Sequence, residues 1–170
     1  MNDRRHRFET LVTALLPQLY RYAFWLGGDR ASAEDVVQDA LLRAWRSLDA
    51  LEDECKARAW LLTIIRREHA RAHAGRTVGF VDIDSLELAD LGADAGAEAE
   101  SADLRRLIAR LEPAYREPLV LQVVLGLECR EIAALLGLTQ STVLTRLFRA
   151  RRSLAGFVAP PLAAAPGAPR

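Results

Sequence analysis

The residues best suited to chemistry lie toward the C-terminus. Thr142, Thr145, Arg146 and Arg149 recur three to four positions apart, with Ser141 and Arg152 flanking them. On a helix, that spacing gathers them on one face. Hydroxyls and guanidinium groups there are donors for phosphate oxygens and guanine edges. From Gln140 to Arg152 the chain has four Arg and no acid, so nothing nearby competes for those donors. A second basic set, Thr63, Arg66, Arg67 and Arg71, accompanies the aromatic ring of Trp60. Cations beside an aromatic ring suit a single nucleic-acid strand. A third set has the opposite character. Asp35, Gln38, Asp39 and Leu42 share one helical face, and an exposed Leu among carboxylates suits a protein partner.

Other residue types offer less. His69 and His73 have the i, i+4 spacing of paired metal ligands. The intervening Ala-Arg-Ala lacks a general-base Glu, no third ligand is evident, and the basic neighbours disfavour a cation. No metal site is expected. Cys55 and Cys129 are isolated and read as reduced thiols. Without a glycine-rich phosphate loop, a GxSxG elbow or a Cys–His set, neither catalytic residues nor a cofactor are expected.

These sets need helices to position them. The chain of 170 residues is half apolar and rich in Ala, Leu and Arg, a composition that favours an all-α fold. Segment 31–48 carries an apolar stripe of Ala33, Val36, Val37, Ala40, Leu41, Ala44, Trp45 and Leu48, with Asp29 or Ser32 as its cap. Segment 8–26 reads as a helix bent or broken near Pro17. Segment 56–74 reads as a third helix, with Trp60, Leu61, Ile64 and Ile65 as its apolar side. Further helices are expected over 101–111 and 113–125.

Residues 129–149 then form a helix-turn-helix. Ile132, Ala133 and Leu136 face inward, Gly137 ends the first helix in a left-handed conformation, and Thr139 caps the second. Val143 and Leu147 point back at the first helix.

A net charge of zero conceals an uneven distribution. Residues 1–76 carry 13 basic and 11 acidic residues, 77–103 carry eight acids and no base, and 104–170 carry ten Arg and four Glu. The acidic middle reads as a flexible linker. The organisation expected is a helical domain at 5–76, an acidic linker at 77–100, a helix-turn-helix domain at 101–157 and a disordered tail at 158–170. A charged N-terminus without a following apolar segment, and no apolar run of membrane length, point to the cytoplasm.

The ordered motifs GDRASAEDVVQDALLRAWRSL (28–48), RAWLLTIIRREHAR (58–71) and LEPAYREPLVLQVVLGLECREIAALLGLTQSTVLTRLFRARRSL (111–154) resemble the extracytoplasmic-function sigma factors of bacterial RNA polymerase. The resemblance covers most of the chain outside the linker and tail. It implies a factor that binds core polymerase and directs promoter recognition and melting. Asp35, Gln38, Asp39 and Leu42 would grip the clamp of the largest subunit, with the flap of the second as a further contact. Trp60, Thr63, Arg66, Arg67 and Arg71 would serve the minus-ten element. Ser141, Thr142, Thr145, Arg146, Arg149 and Arg152 would serve the minus-thirty-five element. It also implies an anti-sigma factor as partner, and a linker whose carboxylates substitute for phosphates in a basic channel.

Four departures mean that no standard promoter sequence carries over. The loop 49–55 holds four acids, Arg67 stands where many relatives have Asn, Glu128 stands at a cap where relatives often have Ser or Thr, and Leu144 stands where many have Lys. The alternatives are a free-standing helix-turn-helix regulator, which would bind duplex sites as a dimer, and a small enzyme using metal at His69.

Overall fold

The computed structural model describes residues 2–74, 104 and 106–158, and these are all-α with no strand among them. The linker expected at 77–100 and the tail expected beyond 158 lie outside the described residues. Helix α1 (Asn2–Gly27) is followed by α2 (Arg30–Arg46), two 3-10 turns at Leu48–Ala50 and Glu54–Lys56, and α3 (Ala57–Ala72). Residues 104 and 106–109 are helical. After them come α4 (Pro113–Val123), α5 (Cys129–Leu136) and α6 (Gln140–Val158).

Helix α1 corrects one half of an expectation: it is not broken at Pro17 but continues through it. Proline removes a single backbone donor, and because both Pro17 and Thr13 face solvent, water can serve the orphaned carbonyl. Gly28, at φ 85, turns the chain into α2, where the Asp29 carboxylate accepts from the Ser32 N–H at 2.7 Å. That cap satisfies one of the free donors of the first turn.

Ala33, Val36, Val37, Ala40 and Ala44 are buried on α2 as the stripe requires, and Leu48 is buried just beyond it. Trp45 departs from the expected stripe and is 36% exposed, its ring edge-on to Phe8 at 5.3 Å with the Arg4 guanidinium over it. An indole is too large for the narrow seam that the alanines leave, so it lies at the rim.

Leu19, Tyr22 and Ala23 of α1 close with Val37 of α2 and Leu61, Leu62 and Ile65 of α3 into a core. Full burial of each large side chain contributes roughly 1.5–3 kcal/mol. The second unit packs α4, α5 and α6 around Leu121, Ile132, Val143 and Leu147. Two helical units are therefore present, and they touch. Their buried residues form one continuous cluster, with α1 against α4 and α3 against α5.

Candidate nucleic-acid and protein interfaces

The helix-turn-helix is built from the residues that its sequence nominates. Gly137 takes φ 66 and ψ 37 and ends α5 in the left-handed region. Thr139 accepts from the Thr142 N–H at 3.2 Å and caps α6. At the start of α5, the Glu128 N–H donates to Glu131 at 2.7 Å. Ile132 and Ala133 are buried inward with Leu135, whereas Leu136, expected inside, is half-buried. Val143 and Leu147 face back at 0% and 1% exposure, fixing the rotation of α6.

That rotation gathers Ser141, Thr142, Thr145, Arg146 and Arg149 along one groove of about 350 Å³. Arg152 is exposed one turn further on and does not line it. All three hydroxyls are already engaged: Ser141 and Thr142 with the Thr139 hydroxyl at 3.0 and 2.8 Å, and Thr145 donating to the Ser141 carbonyl at 2.9 Å. The groove's opposite wall is Ala114 and Tyr115 of α4. Arg149 donates to the Tyr115 hydroxyl at 3.2 Å. Sequence reasoning missed Tyr115, because the contact spans 34 positions and no periodicity connects them. Leu144 and Phe148, four apart on α6, are 57% and 64% exposed.

Helix α3 divides its five candidates. Trp60, Thr63, Arg67 and Arg71 follow one stripe at helical spacing, while Arg66 turns toward the other unit. Trp60 is half-buried against both hydrophobic clusters, so only part of its ring is available. Thr63 donates to the Ala59 carbonyl at 2.8 Å. Arg71 pairs with Glu68 at 2.7 Å, and Glu68, 8% exposed in its side chain, also holds Arg43 at 2.5 Å. Arg67 is exposed and unpaired among the described residues.

The acidic loop before α3 is partly neutralised from within. Asp49 pairs with Arg4 at 3.4 Å and Glu54 with Arg7 at 2.7 Å, while Asp53 accepts from the Cys55 N–H. Arg7 also donates to the Leu51 carbonyl at 2.9 Å.

On α2, Asp35, Gln38, Asp39 and Leu42 are all exposed, Leu42 at 56%. Beside them Phe8, Leu41, Leu42 and Trp45 line an open, largely apolar groove of about 650 Å³ that Gln38 borders. Carboxylates next to an apolar trough favour a protein partner with basic and apolar groups.

The contact between the units centres on Glu117 of α4. One oxygen of its carboxylate accepts from the Tyr22 hydroxyl at 2.8 Å and from Arg66 Nε at 2.9 Å. Burial pushes the Tyr22 hydroxyl well above its usual pKa, and the Glu117 charge adds to the shift. Burial alone would lower the Arg66 pKa, but the Glu117 carboxylate outweighs it and the net shift is upward. Arg58 of α3 donates to the Leu125 carbonyl.

His69 lies in the same region, stacked on His73 at 4.2 Å between ring centroids. Burial first, then His73 and Arg116, lower its pKa to about 4. No group of three or more His, Cys, Asp or Glu among the described residues could hold a metal ion. No described helix is long and apolar enough to cross a membrane.

A helix-turn-helix unit packed on a three-helix unit with an exposed acidic and apolar face defines a class: a two-domain, DNA-directed transcription factor. The Sigma-70 region 2 profile matches residues 11–77 and the Sigma-70, region 4 profile matches residues 101–154. The ECF RNA polymerase sigma factor SigL of Mycobacterium tuberculosis is 34% identical over 141 residues, covering 80% of each chain. CnrH of Cupriavidus metallidurans is 30% identical over 170 residues, covering 92% of this chain and 89% of that one.

Among solved structures, RpoE of Bartonella quintana, in complex with the anti-sigma factor NepR, superposes with a TM-score of 0.72 at 28% identity. It covers 89% of this chain and 96% of RpoE. CnrH bound to the cytosolic domain of CnrY superposes at 0.68, also at 28% identity, covering 91% of this chain and 88% of CnrH. The chain belongs to the extracytoplasmic-function RNA polymerase sigma factors, and it directs promoter recognition in transcription initiation.

Proposed function

We propose that this sigma factor docks on core RNA polymerase through Asp35, Gln38, Asp39 and Leu42, with the adjoining Phe8–Trp45 groove receiving apolar side chains of the polymerase clamp. Trp60, Thr63, Arg67 and Arg71 follow the opened minus-ten strand, joined by Arg66 once it is released from Glu117. Ser141, Thr142, Thr145, Arg146, Arg149 and Arg152 meet the minus-thirty-five element in duplex DNA. Leu144 and Phe148 offer nothing to a phosphate and suit apolar groups of the polymerase flap.

The factor catalyses nothing alone; RNA synthesis belongs to the polymerase it joins. It works in the cytoplasm, with an anti-sigma factor as inhibitory partner, the kind of partner with which RpoE of Bartonella quintana was crystallised.

One observation carries the proposal: five donors of α6 converge on a single groove free of carboxylates. Run-off transcription with purified core enzyme on genomic fragments tests it. Discrete transcripts that depend on the factor are expected. Their absence, with tight binding to duplex DNA by the factor alone, would favour a free-standing regulator.

A further inference from the structure

Of the five α3 residues assigned to the minus-ten strand, Arg66 alone reaches across to the helix-turn-helix unit. Its partner is an oxygen anion, the same kind of acceptor that a phosphate would offer. That oxygen also serves Tyr22, a fully buried side chain, so one carboxylate joins α1, α3 and α4. A half-open cleft of about 210 Å³ lies beside the contact, lined in part by Trp25, His69 and Arg116. Side chains that line a cleft reached by water make fewer dispersion contacts than those of a closed core, which limits what holds the units together there. An intramolecular contact can nevertheless stay closed on weak interactions, because the tether keeps the partners at high effective concentration.

We propose that Glu117 is an internal competitor for promoter DNA: it occupies Arg66, closes the two units on each other, and must be displaced before Arg66 can reach the minus-ten strand. The inference rests on the assignment of Arg66 to that strand. Closure therefore lowers the apparent affinity for a single strand by the fraction of molecules that are shut.

The test uses the full chain, small-angle scattering for its size, and fluorescence anisotropy with a labelled single-stranded oligonucleotide of mixed sequence at low salt. Glu117→Gln removes the competing charge. Tyr22→Phe loosens the same carboxylate without changing charge. Glu112→Gln, at an exposed carboxylate on the N-terminal side of α4, controls for net charge. Both Glu117→Gln and Tyr22→Phe should enlarge the radius of gyration, and Glu117→Gln should bind the oligonucleotide about tenfold more tightly. Adding Arg66→Ala to Glu117→Gln should abolish that gain.

Wild-type size and affinity in both Glu117→Gln and Tyr22→Phe would overturn the latch itself. An equal gain from Glu112→Gln would reduce the effect to net charge and overturn the competition. Expansion with a gain that survives Arg66→Ala would remove Arg66 from the DNA site, a failure distinct from that of the latch.

Discussion

Helix α3 and helix α6 both present arginines, but the chain treats them in opposite ways. On α3, Arg66 is tied to Glu117 and Arg71 to Glu68, leaving Arg67 unpaired among the described residues. On α6, Arg146, Arg149 and Arg152 have no carboxylate partner among the described residues, and Arg149 rests against a neutral tyrosine. Ion pairs within the chain must be exchanged before an arginine can serve a phosphate, whereas an unpaired arginine exchanges only water and counterions. In the proposed roles, α6 is therefore ready for duplex DNA in the closed chain, and α3 is held partly in reserve.

The largest expected effect asks whether either helix works without the docking face of α2. Reversing Asp35 and Asp39 to Lys should weaken core-polymerase binding by about a hundredfold, because like charges at an interface cost several kcal/mol. Undiminished retention on immobilised core enzyme would mean that the clamp face lies elsewhere.

The contrast itself is measured next. Arg149→Ala should cost roughly 1–3 kcal/mol in upstream promoter binding and reduce the salt slope if the contact is to phosphate. Arg71→Ala should cost less, because Glu68 already engages that side chain. Equal losses, scored by promoter binding of the holoenzyme across salt concentrations, would erase the distinction between the helices.

A smaller effect probes how α6 is aimed. Gly137→Ala meets no neighbouring atom, yet at φ +66 a side chain is strained by roughly 1 kcal/mol. The melting transition of the helix-turn-helix should fall by a few degrees, and an unchanged transition would show that the turn relaxes freely.

The smallest effect concerns pH. His69 titrates near 4 instead of the usual 6.5, first because it is buried. The unfolded chain thus binds more protons between those values, so His69 contributes stability above about pH 6.5 that is lost as pH falls toward 4. Urea titrations across that window should show the decline, and His69→Gln should flatten it. A decline of the same size in the variant would assign it to other groups.

Much of this architecture was legible in the sequence, and what was legible was local. Capping by Asp29 and Thr139, the left-handed Gly137 and the inward Ile132 and Val143 each depend on neighbours within a few positions. The shared α6 face of Thr142, Thr145, Arg146 and Arg149 followed from the same spacing, whereas the groove it lines did not. The break expected at Pro17 is absent because the cost of a proline depends on whether water reaches the orphaned carbonyl, which sequence does not encode. Trp45 misled because a stripe predicts direction but not the room available. Tyr115, Glu117 and the pairing of Arg4 and Arg7 with the loop acids were invisible for another reason. Their partners lie 34 to 95 positions away, or on a loop 45 to 47 positions on, and no local rule relates them.

The continuous cluster shared by the two units has a consequence for the factor's lifetime. Parting the units uncovers Tyr22 and the apolar rim formed by Trp25, Leu26 and Val120. Newly wetted apolar surface and loosened helices are what intracellular proteases and chaperones engage, and cleavage follows the population of the opened form when reclosing is fast. A molecule that opens onto polymerase has that surface attended by its partner. On the proposed latch, one that opens with nothing to bind is exposed to degradation, so the equilibrium proposed to ration access to promoters would also set how long an unused copy survives.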